Sequence, residues 1–268
     1  MAVSELDRPV WQRITRAIEA RGALHFTLID PDRHEEADAR QIARTVSAAG
    51  TDAILAGTSL SLSPAFRQQI AAIREGAAVP VILFPAHAGQ VIPEVDAILF
   101  MSLLSGRNPQ YLIDEQVRGA PLVKACRIEP IPVGYLLIES GRTTTVEFMS
   151  GTRPIPAHKP EIVVAHALAA ECLGMRLVYL EAGSGAERPV PRAVVEAVSR
   201  ATALPVVVGG GITEPETAAD LVRAGASIVV TGNVLERAGG TEGAARFARA
   251  IHDAGRERRS RERAPACR

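Results

Sequence analysis

The stretch Arg176-Leu-Val-Tyr-Leu-Glu-Ala-Gly-Ser-Gly185 decides the fold of this chain. A short apolar run followed at once by glycines predicts a buried strand that ends in a loop, where backbone N–H groups can approach a ligand. The same pattern returns as Val208-Gly-Gly-Gly-Ile212, and again in Gly232-Asn233 after a third apolar run. Three successive units of this type indicate a parallel sheet built from repeated strand–helix pairs.

Working outward from this stretch, short apolar runs alternate with helical patterns along the chain. We predict strands at 24–30, 52–57, 80–84, 96–101, 133–138, 176–181, 205–208 and 227–231. A closed barrel leaves no exposed strand edge, so we predict an α/β fold of the (β/α)8 TIM-barrel type. Residues 85–95 have prolines near both ends and a glycine inside. We therefore predict that an extended segment replaces the third helix.

Composition fits one soluble barrel domain. The 268 residues are 47% hydrophobic, and we assign 1–255 to the barrel and 256–268 to an Arg-rich, disordered tail. The 30 basic and 30 acidic residues balance, which disfavours a nucleic-acid partner. No run approaches the ~20 apolar residues of a membrane helix. The three cysteines lack metal-ligand spacing and the N-terminus lacks an export signal, so we expect a cytoplasmic protein.

The glycine loops predict a phosphate site. Active sites of such barrels form at the C-terminal ends of the strands, and glycine loops backed by helix N-termini suit a phosphate dianion. The candidate loops are 181–185 after the sixth strand, 209–211 after the seventh, and Gly232 with Asn233 after the eighth. The alternative is that each glycine only makes a tight turn.

A carboxylate and a hydroxyl at the ends of the first two strands predict a magnesium site. Asp30 ends the first strand and Ser59 follows the second. One carboxylate completed by water and substrate phosphate is a normal Mg²⁺ arrangement. The alternative is that Asp30 or Asp32 caps the next helix, and we assign that role mainly to Asp32.

Several of these motifs resemble the geranylgeranylglyceryl phosphate synthase family. The resemblance rests on Thr27-Leu-Ile-Asp-Pro-Asp-Arg33, Tyr179-Leu-Glu-Ala-Gly-Ser-Gly185, Val208-Gly-Gly-Gly-Ile212 and Gly232-Asn233. The stretches 100–109, 153–156 and 159–161 are similar to the second, partly bacterial branch of that family. The similarity extends from about His25 to Asn233.

The resemblance implies a reaction and its binding residues. Members of that family transfer a prenyl group, such as geranylgeranyl, from its diphosphate to the 3-hydroxyl of sn-glycerol 1-phosphate, using Mg²⁺, in ether-lipid biosynthesis. Asp30 and Ser59 would then serve the metal. Glycerol phosphate would be held by Tyr179, Leu180, Glu181, Ala182, Gly183, Ser184, Gly185, Gly210, Gly211, Gly232 and Asn233. A homo-oligomer and transient contact with a membrane surface are also implied.

Glu181 and Tyr179 are the candidate catalytic residues. Glu181 is the acid placed directly beside the glycine loops, so we predict that it is the general base that takes the proton of the acceptor hydroxyl. Tyr179 lies two residues earlier, on the same strand face, and would orient the same substrate. The alternative is that Glu181 pairs with an arginine at the barrel rim.

Two other function classes remain open from the sequence. A phosphosugar isomerase or aldolase would use the same phosphate loops, and a non-catalytic barrel could sense a phosphorylated ligand. An aldolase needs a Schiff-base lysine, and neither Lys124 nor Lys159 falls inside a predicted strand.

Overall fold

The strands of the chain close into a parallel barrel. The computed structural model describes residues 9–232 and 241–263. Eight strands follow one another around the barrel in chain order, and β8 pairs with β1. They are β1 Leu24–Ile29, β2 Ala53–Ala56, β3 Val81–Leu83, β4 Ala97–Leu103, β5 Glu129–Leu137, β6 Leu177–Glu181, β7 Val206–Gly209 and β8 Ile228–Thr231. The predicted (β/α)8 fold is confirmed.

Helices surround the strands and also precede them. They are α1 Pro9–Arg21, α2 Glu36–Ala48, α3 Phe66–Gly76, α4 Glu115–Cys126, α5 Thr145–Ser150, α6 Pro160–Cys172, α7 Arg192–Ala201, α8 Pro215–Arg223 and α9 Thr241–Arg263. None of these helices in the described ranges has the length and apolar character needed to span a bilayer.

The connection between β3 and β4 is extended, as predicted. Its helical content in the described residues is one 3-10 turn, Ala88–Gln90. The Gln90 side chain is buried and accepts a hydrogen bond from the Ala86 N–H at 2.6 Å.

Other elements differ from the sequence-based prediction. Helices α1 and α5 are not among the elements predicted from the sequence. Strand β5 begins at Glu129 rather than at residue 133, because the two prolines at its start are accommodated in the barrel. Helix α4 was missed, and it follows a π-helical turn at Gln110–Asp114.

Helix α1 covers the N-terminal end of the barrel. Its Val10 and Trp11 N–H groups both donate to the Glu129 carboxylate, at 2.8 and 2.9 Å. These groups have no partner within the helix, so the buried carboxylate satisfies them and favours the positive end of the helix dipole. Trp11 and Ile14 pack into the barrel interior. A ligand therefore approaches from the opposite, C-terminal end.

Side chains alternate between the barrel interior and the layer under the helices. In β6, Leu177 and Tyr179 pack inside, whereas Val178 and Leu180 pack outside against the helices. Glu181 follows the same period-two pattern and points inward. The alternation thus determines which residues of the 176–185 stretch can present a side chain to the barrel mouth.

The prediction of a disordered tail from residue 256 is wrong for residues 256–263. Helix α9 continues to Arg263. Arg258 anchors this helix by donating to the carbonyls of Val222, Ala226 and Gly22. Because Val222 lies in the last turn of α8, the positive charge of Arg258 also interacts favourably with the C-terminal end of that helix dipole. Residues 264–268 lie outside the described part of the chain.

Candidate active site

Glu181 lies at the C-terminal end of β6 and is 6% exposed. Its Oε1 accepts a hydrogen bond from the Gly183 N–H at 2.7 Å, and the hydroxyls of Tyr179 and Tyr135 also donate to it. Burial raises the pKa of this carboxyl to about 7, while the three hydrogen bonds act in the opposite direction. A carboxylate with a pKa near neutrality is suited to accept and release a proton.

The partners of Glu181 decide between the two interpretations of this residue. A rim arginine would lower its pKa, whereas the described contacts are to two tyrosines and a backbone amide. Glu181 is therefore held inside the barrel rather than used in a surface ion pair.

Tyr135 belongs to the site although the sequence analysis did not single it out. It lies beside Tyr179 in the register of β5 and β6, and it is 7% exposed. Burial and the neighbouring carboxylate raise the pKa of its hydroxyl well above the usual value, so it remains a donor to Glu181. The signal in the sequence was alternation: Val133, Tyr135 and Leu137 are the inward positions of β5.

An aromatic cluster underlies the barrel mouth. The Phe84 ring stacks on Tyr179 with centroids 5.5 Å apart and an interplanar angle of 20°. Tyr135 meets both rings edge-on, at 5.9 Å from Phe84 and 5.3 Å from Tyr179. Rings from the end of β3, from β5 and from β6 thus build one aromatic wall next to Glu181.

The loops after β6 and β7 pack directly on one another. Gly210 has a φ of +84°, and a Cβ there would lie 2.5 Å from Oε1 of Glu181 and 2.6 Å from the Gly183 nitrogen. Gly183 itself has a φ of +98°. These glycines are therefore required by close backbone packing around the carboxylate, a reason that the loop pattern alone did not reveal.

The loop after β5 completes the same region. Thr144 fills the space beside Gly183, where a Cβ would lie 2.4 Å from its methyl carbon. The Arg142 guanidinium donates through Nε to the Gly185 carbonyl at 2.7 Å. Sequence reasoning missed both residues because they lie about forty positions from the loop they hold.

The predicted glycerol phosphate residues divide into two groups. Ser184 and Gly232 line one cavity, and Gly185, Gly210 and Gly211 have positive φ in the adjoining loops. The side chains of Leu180 and Ala182 instead pack in the apolar layer under the helices, because they occupy the outward positions of the strand. Asn233 lies outside the described residues.

A cavity of about 520 Å³ opens at the C-terminal end of the barrel. Most of its wall is apolar or aromatic, as expected for a small-molecule site. The apolar wall includes Leu28, Phe84, Met101, Leu103, Tyr111, Tyr135, Val146 and Met149. The polar groups at its edges include Asp30, Thr58, Ser59, Ser184 and Gly232. The cavity thus joins the predicted metal side to the predicted phosphate side across an apolar surface.

Asp30 combines the two roles that the sequence analysis separated. Its carboxylate caps the 3-10 turn by accepting from the Asp32 N–H at 3.1 Å, and it also lines the cavity. Arg33 lies 3.3 Å away, and burial raises the pKa of Asp30. The capping role assigned to Asp32 is wrong, since its carboxylate accepts from the Leu62 N–H at 2.6 Å.

The hydroxyl next to Asp30 is that of Thr58, at 3.4 Å, while Ser59 lines the cavity one residue further on. Among the described residues, no three His, Cys, Asp or Glu side chains form a group that could hold a metal ion. A metal at Asp30 would therefore depend on oxygen atoms that the substrate supplies.

The two lysines lie away from the barrel interior. Lys124 is in the last turn of α4, and Lys159 precedes α6 with half of its side chain exposed. Neither reaches the mouth from inside a strand, which weighs against an aldolase. His25 is buried on the outer side of β1, where Nε2 lies 2.8 Å from the Thr231 hydroxyl.

Known proteins share both the sequence and the fold of this chain. The sequence profile of the PcrB family matches residues 15–252. Geranylgeranylglyceryl phosphate synthase of Thermococcus gammatolerans is 47% identical over 243 residues, which cover 90% of this chain and 94% of that protein. The protein of the same name from Thermofilum pendens is 45% identical over 224 residues, covering 83% and 87%.

A solved structure extends the similarity to three dimensions. The crystal structure of (S)-3-O-geranylgeranylglyceryl phosphate synthase from Thermoplasma acidophilum, in complex with its substrate sn-glycerol-1-phosphate, superposes with a TM-score of 0.86 at 36% identity. The match covers 91% of this chain and 98% of that one. On the combined sequence and fold similarity, this chain belongs to the PcrB family, as a relative of the geranylgeranylglyceryl phosphate synthases.

Proposed function

We propose that this protein transfers a prenyl group from a polyprenyl diphosphate to the 3-hydroxyl of sn-glycerol 1-phosphate, which forms an ether bond. One observation carries the proposal: Glu181, with its pKa raised to about 7, contacts both the glycine loops and Tyr135, which lines a large apolar cavity. A base, an anion site and an apolar chamber are the three parts that this reaction needs. The names of the relatives above agree with it.

The acceptor is assigned to the glycine-loop side. Gly185, Gly210 and Gly211 are at least partly exposed and have positive φ, a conformation that can turn N–H groups toward an anion. Ser184 and Gly232 place this side on the cavity wall, and the bound substrate in the Thermoplasma acidophilum enzyme supports the same acceptor. With the phosphate held here, the far hydroxyl of a three-carbon acceptor lies within reach of Glu181.

The donor is assigned to the apolar part of the cavity. Its wall of aromatic and aliphatic side chains suits an isoprenoid chain, since burial of apolar surface contributes about 25 cal/mol per Å². The same wall excludes water, which would otherwise capture the activated prenyl group.

Asp30 is proposed to hold Mg²⁺ together with the diphosphate. Its half-buried carboxylate borders the cavity, and the neighbouring Thr58 and Ser59 hydroxyls make an oxygen-only donor set, which Mg²⁺ prefers. When bound there, the metal would neutralise negative charge on the leaving diphosphate. Arg33, 3.3 Å from Asp30, adds a second positive charge to the same edge.

The proton of the acceptor hydroxyl is proposed to pass to Glu181. As the new carbon–oxygen bond forms, the hydroxyl becomes strongly acidic, so a carboxylate of moderate basicity suffices. The Gly183 amide and the two tyrosine hydroxyls hold that carboxylate in one orientation. Tyr179 and Tyr135 thereby position the base, and Tyr135 also borders the donor cavity.

We further propose a cytoplasmic homo-oligomer that makes transient contact with a membrane surface. Leu62 and Phe148, both 78% exposed, neighbour cavity-lining residues and support transient contact with a membrane surface that supplies the prenyl donor. Ile162 and Leu173 are exposed at α6 and support a homo-oligomer. The free thiols of Cys126 and Cys172 agree with a reducing, cytoplasmic setting.

A product assay tests the proposal. The purified protein is incubated with Mg²⁺, sn-glycerol 1-phosphate and radiolabelled prenyl diphosphates of several chain lengths, and the ether product is extracted and identified by mass spectrometry. The enantiomer sn-glycerol 3-phosphate serves as the matched control acceptor. We expect product with the first acceptor and much less with the second. Absence of ether product with every donor contradicts the proposal.

A further inference from the structure

The aromatic wall beside Glu181 has a geometry that packing alone does not require. Stacking on Tyr179 covers one face of the Phe84 ring, and the surface of Phe84 that remains exposed borders the cavity. Tyr135 stands edge-on to Phe84 at 5.9 Å and borders the same cavity. Two aromatic rings at an interplanar angle of 69° thus form part of the cavity wall.

The chemistry of the proposed reaction creates a positive charge in this cavity. Ionisation breaks the bond between the allylic carbon and the diphosphate oxygen, and the electron pair leaves with the diphosphate. The hydroxyl oxygen of glycerol phosphate then forms a bond to that carbon and releases its proton to Glu181. Between these two events the allylic carbons carry a delocalised cation in an apolar chamber, where no water solvates it.

We propose that the ring faces of Phe84 and Tyr135 stabilise this allylic cation, which makes both of them catalytic residues. The negative face of an aromatic ring attracts a cation, and the attraction grows when both are removed from water. The inference rests on the proposed function, because it requires a donor that ionises.

The contact between Tyr135 and Glu181 strengthens the effect. Burial keeps the Tyr135 hydroxyl protonated, so it donates to the carboxylate. Donation to an anion shifts electron density from the hydroxyl into the ring, which makes the ring face more negative. The base that later accepts the proton therefore also prepares the ring that holds the cation.

Rigidity supports the same assignment. Tyr179 is 1% exposed and fixes the Phe84 ring from below, while the closed barrel fixes all three strands. A preorganised ring costs no reorganisation at the moment when charge develops. A flexible aliphatic side chain at residue 84 would exclude water equally well but could not supply the electrostatic attraction.

Graded fluorination of Phe84 tests the proposal. Phenylalanine carrying one, two or three ring fluorines is incorporated at residue 84 of the full chain, which weakens the negative ring face stepwise with little change in size. We expect the single-turnover rate of prenyl transfer to fall at each step, by about 10-fold or more in total. The Kd of the prenyl diphosphate should stay nearly constant, because the prenyl chain that contacts the ring is uncharged before ionisation.

The matched control is the same series at Phe26, a buried ring of β1 that packs inside the barrel but is not among the cavity-lining residues. Fluorination there should leave the rate unchanged. Thermal unfolding of each variant shows whether the fold is retained. A rate at Phe84 that stays flat across the series, within about 2-fold, overturns the inference while leaving the transferase activity established.

Tyr135 is tested by two substitutions. Tyr135→Phe keeps the ring and loses the hydrogen bond to Glu181, whereas Tyr135→Leu loses both. We expect the single-turnover rate to fall further in Tyr135→Leu than in Tyr135→Phe. Equal losses in the two variants would leave the ring without a role and overturn its part of the proposal. If the wild-type protein forms no ether product, the proposed function fails first, and the cation inference fails with it.

Discussion

The hydroxyl of Tyr179 occupies the space where a side chain at residue 209 would begin. A Cβ added to Gly209 would lie 2.5 Å from that hydroxyl oxygen and 3.1 Å from Oε2 of Glu181. Gly209 ends β7 and lies beside Glu181 in the strand register. The glycine after one strand thus makes room for the side chains that define the site on the preceding strand.

Gly209→Ala should destabilise the protein and displace the Tyr179 hydroxyl from Glu181. Overpacking of this kind costs about 1–3 kcal/mol in the free energy of unfolding, measured by urea denaturation. Tyr179→Phe removes the hydroxyl that the new methyl group meets, so the double variant should recover part of this loss. Strict additivity of the two single changes would show that the contact does not exist in solution.

Glu181→Gln should cut turnover by roughly 10²-fold or more, because the amide retains the shape but cannot accept a proton. The wild-type rate should rise with pH up to about 7, where the Glu181 carboxyl loses its proton, and then level off. This rise should vanish in the variant, while calorimetry should still detect glycerol phosphate binding. Near-normal turnover would mean that water or the diphosphate takes the proton.

The pH dependence of stability should separate Glu181 from His25. The pKa of Glu181 is raised from 4.5 to about 7, so between these values the folded state binds more protons and the free energy of unfolding falls as pH rises. Burial lowers the pKa of His25 from 6.5 to about 4, so over that range the unfolded state binds more protons and stability rises with pH. In the wild type the two contributions oppose each other.

A variant that removes one of the two groups should show the contribution of the other group to the pH dependence of the free energy of unfolding. Relative to wild type, the free energy of unfolding of Glu181→Gln should increase from pH 4.5 to 7, by up to about 3 kcal/mol. That of His25→Gln should decrease relative to wild type between pH 4 and 6.5, by a similar amount. Urea denaturation at half-unit pH steps measures both differences. Differences that do not vary with pH would contradict the burial argument.

Asp30→Asn should lower turnover and weaken prenyl diphosphate binding, with glycerol phosphate binding nearly intact. The reason is that only the proposed metal and donor side of the cavity loses a negative ligand. Asp32→Asn is the matched control, since the Asp32 carboxylate contacts the Leu62 backbone. Removal of Mg²⁺ by a chelator should abolish the wild-type reaction, and full activity without the metal would exclude this role for Asp30.

Most of the fold could be predicted from local patterns in the sequence. Short apolar runs that alternate with helical patterns located all eight strands, and the prolines near both ends of residues 85–95 predicted the missing third helix. The glycine loops and Glu181 could be found in the same way, because a strand end and the glycines that follow it form a pattern of only a few residues. The tail was mispredicted because the anchoring of Arg258 by carbonyls from α8 and from residue 22 leaves no trace in local composition.

By itself, then, the sequence determined the barrel, its open end and the residues that could carry chemistry. Only the closed tertiary structure decided which of them act together. Phe84, directly after β3, and Tyr179, in β6, meet only across the barrel interior, and Glu129 reaches α1 over 119 positions. Strand periodicity is a local property of the chain, whereas contact across a barrel depends on closure and register. The raised pKa of Glu181 is likewise decided by the tertiary structure, because residues distant in the sequence bury the carboxyl group.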